Sequence, residues 1–186
     1  MNLSRAQILF VALALCAPSI SILAQPTDGK NYRIDLVDVD GHALSTAGGR
    51  VTTVVLTSQA NVDKARAVGD RTPDFCLGNP TYRMITVVAF EKNHSKPVRM
   101  ILTSLMRRRL DPEARRLQSR YDQLKIARNA RQDISAVADF DGTISKQLGA
   151  PPAVNLFHLF VFGRNGELLK QWNDVPSSDE LATALK

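Results

Sequence analysis

The order of apolar runs in this chain predicts an α/β fold, with a mixed central β-sheet flanked by helices on both faces. Three observations carry the prediction. Two runs, VTTVVLT (residues 51–57) and MITVVAF (84–90), are rich in β-branched residues and apolar at their centres, as strands buried on both faces are. Around them lie segments whose apolar residues recur at helical spacing. Near the end, LFHLFVF (156–162) meets Arg164-Asn165-Gly166 and a last apolar run reaching Trp172, which is a hairpin signature.

In chain order, Tyr32, Ile34 and Leu36 alternate with Arg33 and Asp35, giving a strand over 32–39 that stops at the turn Asp38-Val39-Asp40-Gly41. Leu44 and a Gly48-Gly49 turn lead into the strand at 51–57. Val62, Ala65 and Val68 predict a helix with Gly69 as its C-cap. Residues 70–82 hold Pro73 and Pro80 and read as a loop before the strand at 84–90. Val98, Ile101, Leu102 and Leu105 share a helical face. Asp111-Pro112-Glu113 then predicts a fresh start, with Asp at the N-cap, Pro at N1 and an acid in the first turn. That second helix would bury Ala114, Leu117, Tyr121 and Leu124 and place its arginines on a solvated outer arc. A strand from Ile134, a turn at 139–142 and a small helix ending at Gly149 precede the hairpin. Ser177 with Glu180 three residues on forms a capping box for a last helix that buries Leu181 and Leu185.

Residues 1–24 read as a secretory signal peptide. Arg5 supplies the positive region, ILFVALALCA (8–17) the apolar core, and Ile22-Leu23-Ala24 a cleavage site before Gln25. The core is too short for a comfortable membrane span, although a retained anchor stays open. Leu15, large where a small residue is wanted, argues against a lipid anchor on Cys16. The expectation is one domain over 25–186, periplasmic or secreted. Its charge is local: residues 105–131 carry nine Lys and Arg against Asp111, Glu113 and Asp122. The rest of the mature chain is close to neutral. Cleavage removes Cys16 and leaves Cys76 alone, so the mature protein holds neither an internal disulfide nor a CxxC pair.

Four stretches in this order resemble the thioredoxin-like superfamily, in its exported peroxiredoxin-type branch, as a three-layer sandwich. They are DLVDVDGHALS (35–45), GRVTTVVLTS (49–58), AVADFDGTISKQLGA (136–150) and LFVFGRNGELLKQW (159–172). The resemblance marks them as the opening hairpin, the strand before the active-site helix, a connecting turn and the terminal hairpin. A small family of periplasmic proteins with the same long middle insertion and no catalytic cysteine pair is similar too. Catalytic members place a cysteine at the start of the helix after the first buried strand, where the helix dipole makes a reactive thiolate. Here that loop reads Thr57-Ser58-Gln59-Ala60-Asn61, without a thiol. The cis-proline that precedes the long strand in such proteins is also displaced: Val154-Asn155 stands there, with Pro151 and Pro152 further back.

Three chemistries follow from these residues. The first is partner binding by a domain without dithiol chemistry. The second is a one-cysteine antioxidant that uses Cys76, within VGDRTPDFCLG (68–78), which is similar to a peroxiredoxin opening. Arg71 and Arg83 would stabilise its thiolate. Pro73 stands where a peroxidatic motif has threonine, and free cysteine is most often a packed hydrophobe. The third is a phosphatase: DFDGT (139–143) matches a hydrolase signature in which Asp139 is the nucleophile and Asp141 the acid/base around Mg²⁺. Only 43 residues follow it, too few to supply the rest of such an enzyme. His42, His94 and His158 lie at no ligand spacing from one another, so no metal and no cofactor is expected; His158 reads as a satisfied core residue. For partners, Arg107, Arg108, Arg109, Arg115 and Arg116 offer a basic face to an acidic protein or an anionic lipid surface. Nucleic acid does not fit an exported chain whose basic run has no interleaved aromatics.

Overall fold

The computed structural model describes residues 26–186; the signal peptide assigned to 1–24, with Cys16, lies outside them. In chain order the elements are β1 (Asp35–Val37), β2 (Ala43–Ser45), β3 (Val51–Ser58), α1 (Val62–Arg71), β4 (Tyr82–Ala89) and α2 (Lys96–Gln123). There follow β5 (Ile134–Asp139), α3 (Thr143–Gln147), β6 (Phe157–Phe162), β7 (Leu168–Trp172) and α4 (Ser178–Ala184).

Five strands make one sheet in the spatial order β5-β4-β3-β6-β7. β3, β4 and β5 run parallel, whereas β6 and β7 run antiparallel to their neighbours. β1 and β2 pair as a separate hairpin. The sheet is mixed, as the sequence predicts, and β3 sits at its centre, so Val54, Val55 and Leu56 are all buried. That position explains the unbroken apolar run.

Side chains on the sheet alternate between two cores. On one side Val54, Leu56, Ile85, Val87, Phe160 and Phe162 meet Ile34 and Leu36 from the β1 segment and Leu148 from beyond α3. On the other, Val55, Leu159 and Val161 meet Ala65 and Val68 of α1, Cys76, and Leu181 and Leu185 around α4. The capping box forms as predicted: the Ser177 hydroxyl accepts from the Glu180 amide, and the Glu180 carboxylate accepts from the Ser177 amide. The β6–β7 turn needs its glycine. Gly166 has φ +80°, and a Cβ there would lie 2.5 Å from the Tyr32 carbonyl oxygen.

The strand read over 32–39 is confined to Asp35–Val37, and the structure departs from the sequence reading in three further places. α1 continues through Gly69 to Arg71, because Thr72 closes it instead, its hydroxyl donating to the Val68 carbonyl. The two helices expected around 111–112 are one helix of 28 residues with Pro112 inside it. Pro112 leaves the Arg108 carbonyl without its helical donor, and ties on either side hold the helix through this point: Arg107 to Asp40, and Glu113 to Arg66. The third departure is orientation. Val98, Ile101 and Leu105 face solvent, Leu124 is exposed as well, and of the second apolar face only Tyr121 is fully buried. The reason is that α2 packs beside β5 and the short turn at 130–133, so only its later turns reach the core.

Candidate functional site

The end of β3 leads directly into the first turns before α1, where the resemblance places a reactive cysteine. Ser58 fills that corner. Its hydroxyl donates to the Val154 carbonyl at 2.5 Å, its amide donates to the Leu156 carbonyl at 3.0 Å, and Asn61 Nδ2 donates to the same carbonyl at 3.3 Å. Neutral hydrogen bonds therefore tie the loop to the segment before β6. All peptide bonds among the described residues are trans.

Cys76 sits elsewhere, in a single 3-10 turn at Asp74–Cys76, packed into the core between α1 and α4. It is 8% exposed, and burial pushes its thiol up to about 11. Among the described residues no cation offsets that burial. Arg71 donates to the carbonyls of Val175 and Pro176, and Arg83 to the Ser45 carbonyl and the Thr52 hydroxyl. The structure does not bring either arginine into a hydrogen bond with Cys76.

The DFDGT stretch is a helix-capping turn. Asp139, 2% exposed, accepts from the Ser145 hydroxyl at 2.5 Å, the Ser145 amide at 2.8 Å and the Ile144 amide at 3.3 Å, closing the start of α3. Asp141 accepts from the Thr143 amide, and the Thr143 hydroxyl and amide hold its carboxyl below the usual range. Both carboxylates serve the local turn.

The five arginines divide into two groups. Arg107 Nε meets Asp40 at 2.9 Å and its Nη2 reaches the Val39 carbonyl; Arg116 pairs with Asp70 at 2.7 Å. Arg108, Arg109 and Arg115 are exposed and have no ion-pair partner among the described residues. Spacing along the helix places these three on the arc that carries Val98, Ile101 and Leu105, so one outward stripe runs from apolar to basic. The arginines of this arc are solvated, as the sequence predicts, whereas its apolar residues are exposed against that reading; Arg107 instead staples α2 to the β1–β2 hairpin.

The histidines are less isolated than their spacing predicts. Asp38, Asp40 and His42 bring one ligand atom each within 4.8 Å of one another. These atoms already have partners. Asp38 accepts from the amides of Asp40 and His42, and its second oxygen lies 3.0 Å from His42 Nδ1. Asp40 lies between Arg107 and Arg131; burial opposes its ionisation, yet the two arginines outweigh that and hold the carboxyl below the usual range. A cation would meet two guanidinium groups there. His158 is half-buried, its Nδ1 2.8 Å from Asn173 Oδ1; burial lowers its pKa and Asn173 offsets part of the shift. Arg50 and Arg83 line one cleft, a proximity hidden in the sequence because only the pairing of β3 with β4 brings Thr52 beside Arg83.

No known protein-family pattern matches the chain, and no curated protein is similar to it in sequence. Solved structures are similar in fold. The pneumococcal exposed lipoprotein thioredoxin of Streptococcus pneumoniae matches with a TM-score of 0.52 and 13% identity, covering 83% of this chain and 98% of that one. A thiol:disulfide interchange protein DsbE from Chlorobium tepidum matches at 0.50 and 12%, covering 88% and 100%. A DsbF homologue from Corynebacterium diphtheriae matches at 0.50 and 10%, covering 91% and 94%. At these identities the likeness concerns the fold: this chain folds as a thioredoxin-like α/β sandwich.

Proposed function

We propose that this chain is an exported thioredoxin-like domain that carries out no thiol–disulfide chemistry and acts by binding, with the outer face of α2 resting on an anionic membrane surface. The observation that carries this reading is the single stripe on α2. Val98, Ile101 and Leu105 stand exposed beside Arg108, Arg109 and Arg115, which have no ion-pair partner among the described residues. An amphipathic helix of this kind seats its apolar residues at the headgroup boundary while its cations meet acidic lipid. No described helix is long and apolar enough to cross a membrane. Export is supported by the signal-peptide pattern and by the lipoprotein and interchange proteins that share the fold.

Loss of redox chemistry is supported by the thiol-free loop at 57–61 and by the burial of Cys76. Its test is direct. The purified protein is assayed for reduction of insulin disulfides and for peroxide consumption, beside its Cys76→Ser variant. Background rates in both agree with the proposal; turnover that depends on Cys76 would establish the one-cysteine antioxidant instead. Binding is tested by sedimentation with phosphatidylglycerol vesicles, phosphatidylcholine vesicles serving as control. Failure to pellet with the anionic vesicles removes the membrane assignment.

A further inference from the structure

Away from the outer stripe of α2, a cleft of about 360 Å³ opens at the starts of β3, β4 and β5, beside the β1–β2 hairpin. Its acidic wall is already engaged. Asp38 holds its own turn, Asp40 is shared by Arg107 and Arg131, and Asp133 takes the Tyr121 hydroxyl at 2.9 Å and Arg128 at 2.8 Å. Arg131 is thereby engaged too.

Two lining cations remain without an acid among the described residues. Arg83 donates only to neutral oxygens, the Ser45 carbonyl at 2.5 Å and the Thr52 hydroxyl at 3.3 Å. Its Nε is shut off from solvent and has no acceptor. Arg50 is exposed and forms no side-chain hydrogen bond or ion pair among the described residues. The pair repel each other: burial first, and then the charge of Arg50, hold the Arg83 guanidinium below its ordinary pKa. Both also border an adjoining, more open cleft on the other side of Leu44. Two guanidinium groups thus line the same clefts, and neither meets a carboxylate among the described residues, so their positive charge has no answering acid there.

We infer that Arg50 and Arg83 form a binding site for a phosphate group, either free hydrogen phosphate or the phosphate end of a small ester. Planar guanidinium forks match phosphate oxygens two at a time, and two such groups balance a double negative charge. The cleft has room for such an ion and a short substituent. It lies at the opposite end of β3 from Ser58, about 25 Å away at strand rise, so it is separate from the position that the fold gives to thiol chemistry. Neither arginine belongs to α2, and the site stands whether or not the membrane reading does.

The experiment is thermal unfolding and calorimetric titration of the protein, without vesicles, with inorganic phosphate and with glycerol 3-phosphate, against chloride at equal ionic strength. A saturable rise in melting temperature with either ligand is expected, and the tighter of the two names the source of the phosphate. Arg50→Gln, at an exposed position, and Arg83→Gln should each weaken binding by about tenfold to a hundredfold, the worth of one charge-assisted contact. A response no larger than that of chloride, or one that Arg50→Gln leaves unchanged, would overturn the assignment.

Discussion

Ser58 Oγ donates a 2.5 Å hydrogen bond to the Val154 carbonyl, locking the end of β3 onto the segment that feeds β6. With the Asn61 side-chain amide on the Leu156 carbonyl, it closes by neutral contacts the corner where the resemblance places a reactive cysteine. Ser58 is buried, so Ser58→Ala leaves a carbonyl short of a partner. The expected loss is about 1–2 kcal/mol in urea unfolding. A variant as stable as wild type would show that the contact contributes nothing.

Cys76 should behave as a core residue with a titration of its own. Its thiol rises from 9.0 to about 11 because burial disfavours the thiolate. The protonated form is the one the fold favours, so this stabilisation is complete below pH 9 and is lost as pH climbs toward 11. At most about 2–3 kcal/mol is involved. Tyr121, pushed up to about 12 by burial and then by Asp133, adds a later loss of the same sign. Cys76→Ala should flatten the first part of the alkaline decline, read by denaturant midpoints between pH 8 and pH 11. Identical pH profiles in the two proteins would count against the burial argument.

Asp139 is predicted to matter for stability and not for hydrolysis. Asp139→Ala removes acceptors from two amides and a buried hydroxyl. A loss of about 2–4 kcal/mol is expected from the missing cap and the orphaned donors. Wild type should leave p-nitrophenyl phosphate untouched in Mg²⁺. Measurable hydrolysis that vanishes in the variant would revive the phosphatase reading.

Gly166 offers a sharper test of the fold. Ala at this position meets both a left-handed backbone, φ +80°, and the Tyr32 carbonyl at 2.5 Å. Gly166→Ala should cost at least about 2 kcal/mol, seen as a lower thermal midpoint. An unchanged midpoint would mean the turn relaxes freely.

The sheet was legible because its residues carry local signals. Val54-Val55-Leu56 reads as a doubly buried strand, Asn165-Gly166 as a tight turn, and Ser177 with Glu180 as a cap, each fixed by neighbours in sequence. What was hidden depends on distant partners. Pro112 looks like a helix start until Arg107 meets Asp40 and Glu113 meets Arg66, contacts made across the fold. Val98, Ile101 and Leu105 have core spacing, and spacing alone does not reveal that β5 ends the sheet before it reaches them. The same limit applies to the candidate sites. Absence of a thiol from 57–61 is plain in the residues, whereas Arg50 and Arg83 come to line one cleft only once β3 and β4 are in register.

The stripe on α2 carries the central claim, and the structure shows which arginines to change. Arg107 is bound to Asp40, so altering it would perturb the fold; Arg108, Arg109 and Arg115 are the clean targets. The decisive measurement is the partition coefficient onto phosphatidylglycerol vesicles for wild type and for a variant with those three changed to Ala. At about 1 kcal/mol for each cation near an acidic surface, the variant should bind about a hundredfold more weakly, and added salt should weaken wild type in the same way. Equal partitioning of the two folded proteins, or no wild-type binding at low salt, would contradict it.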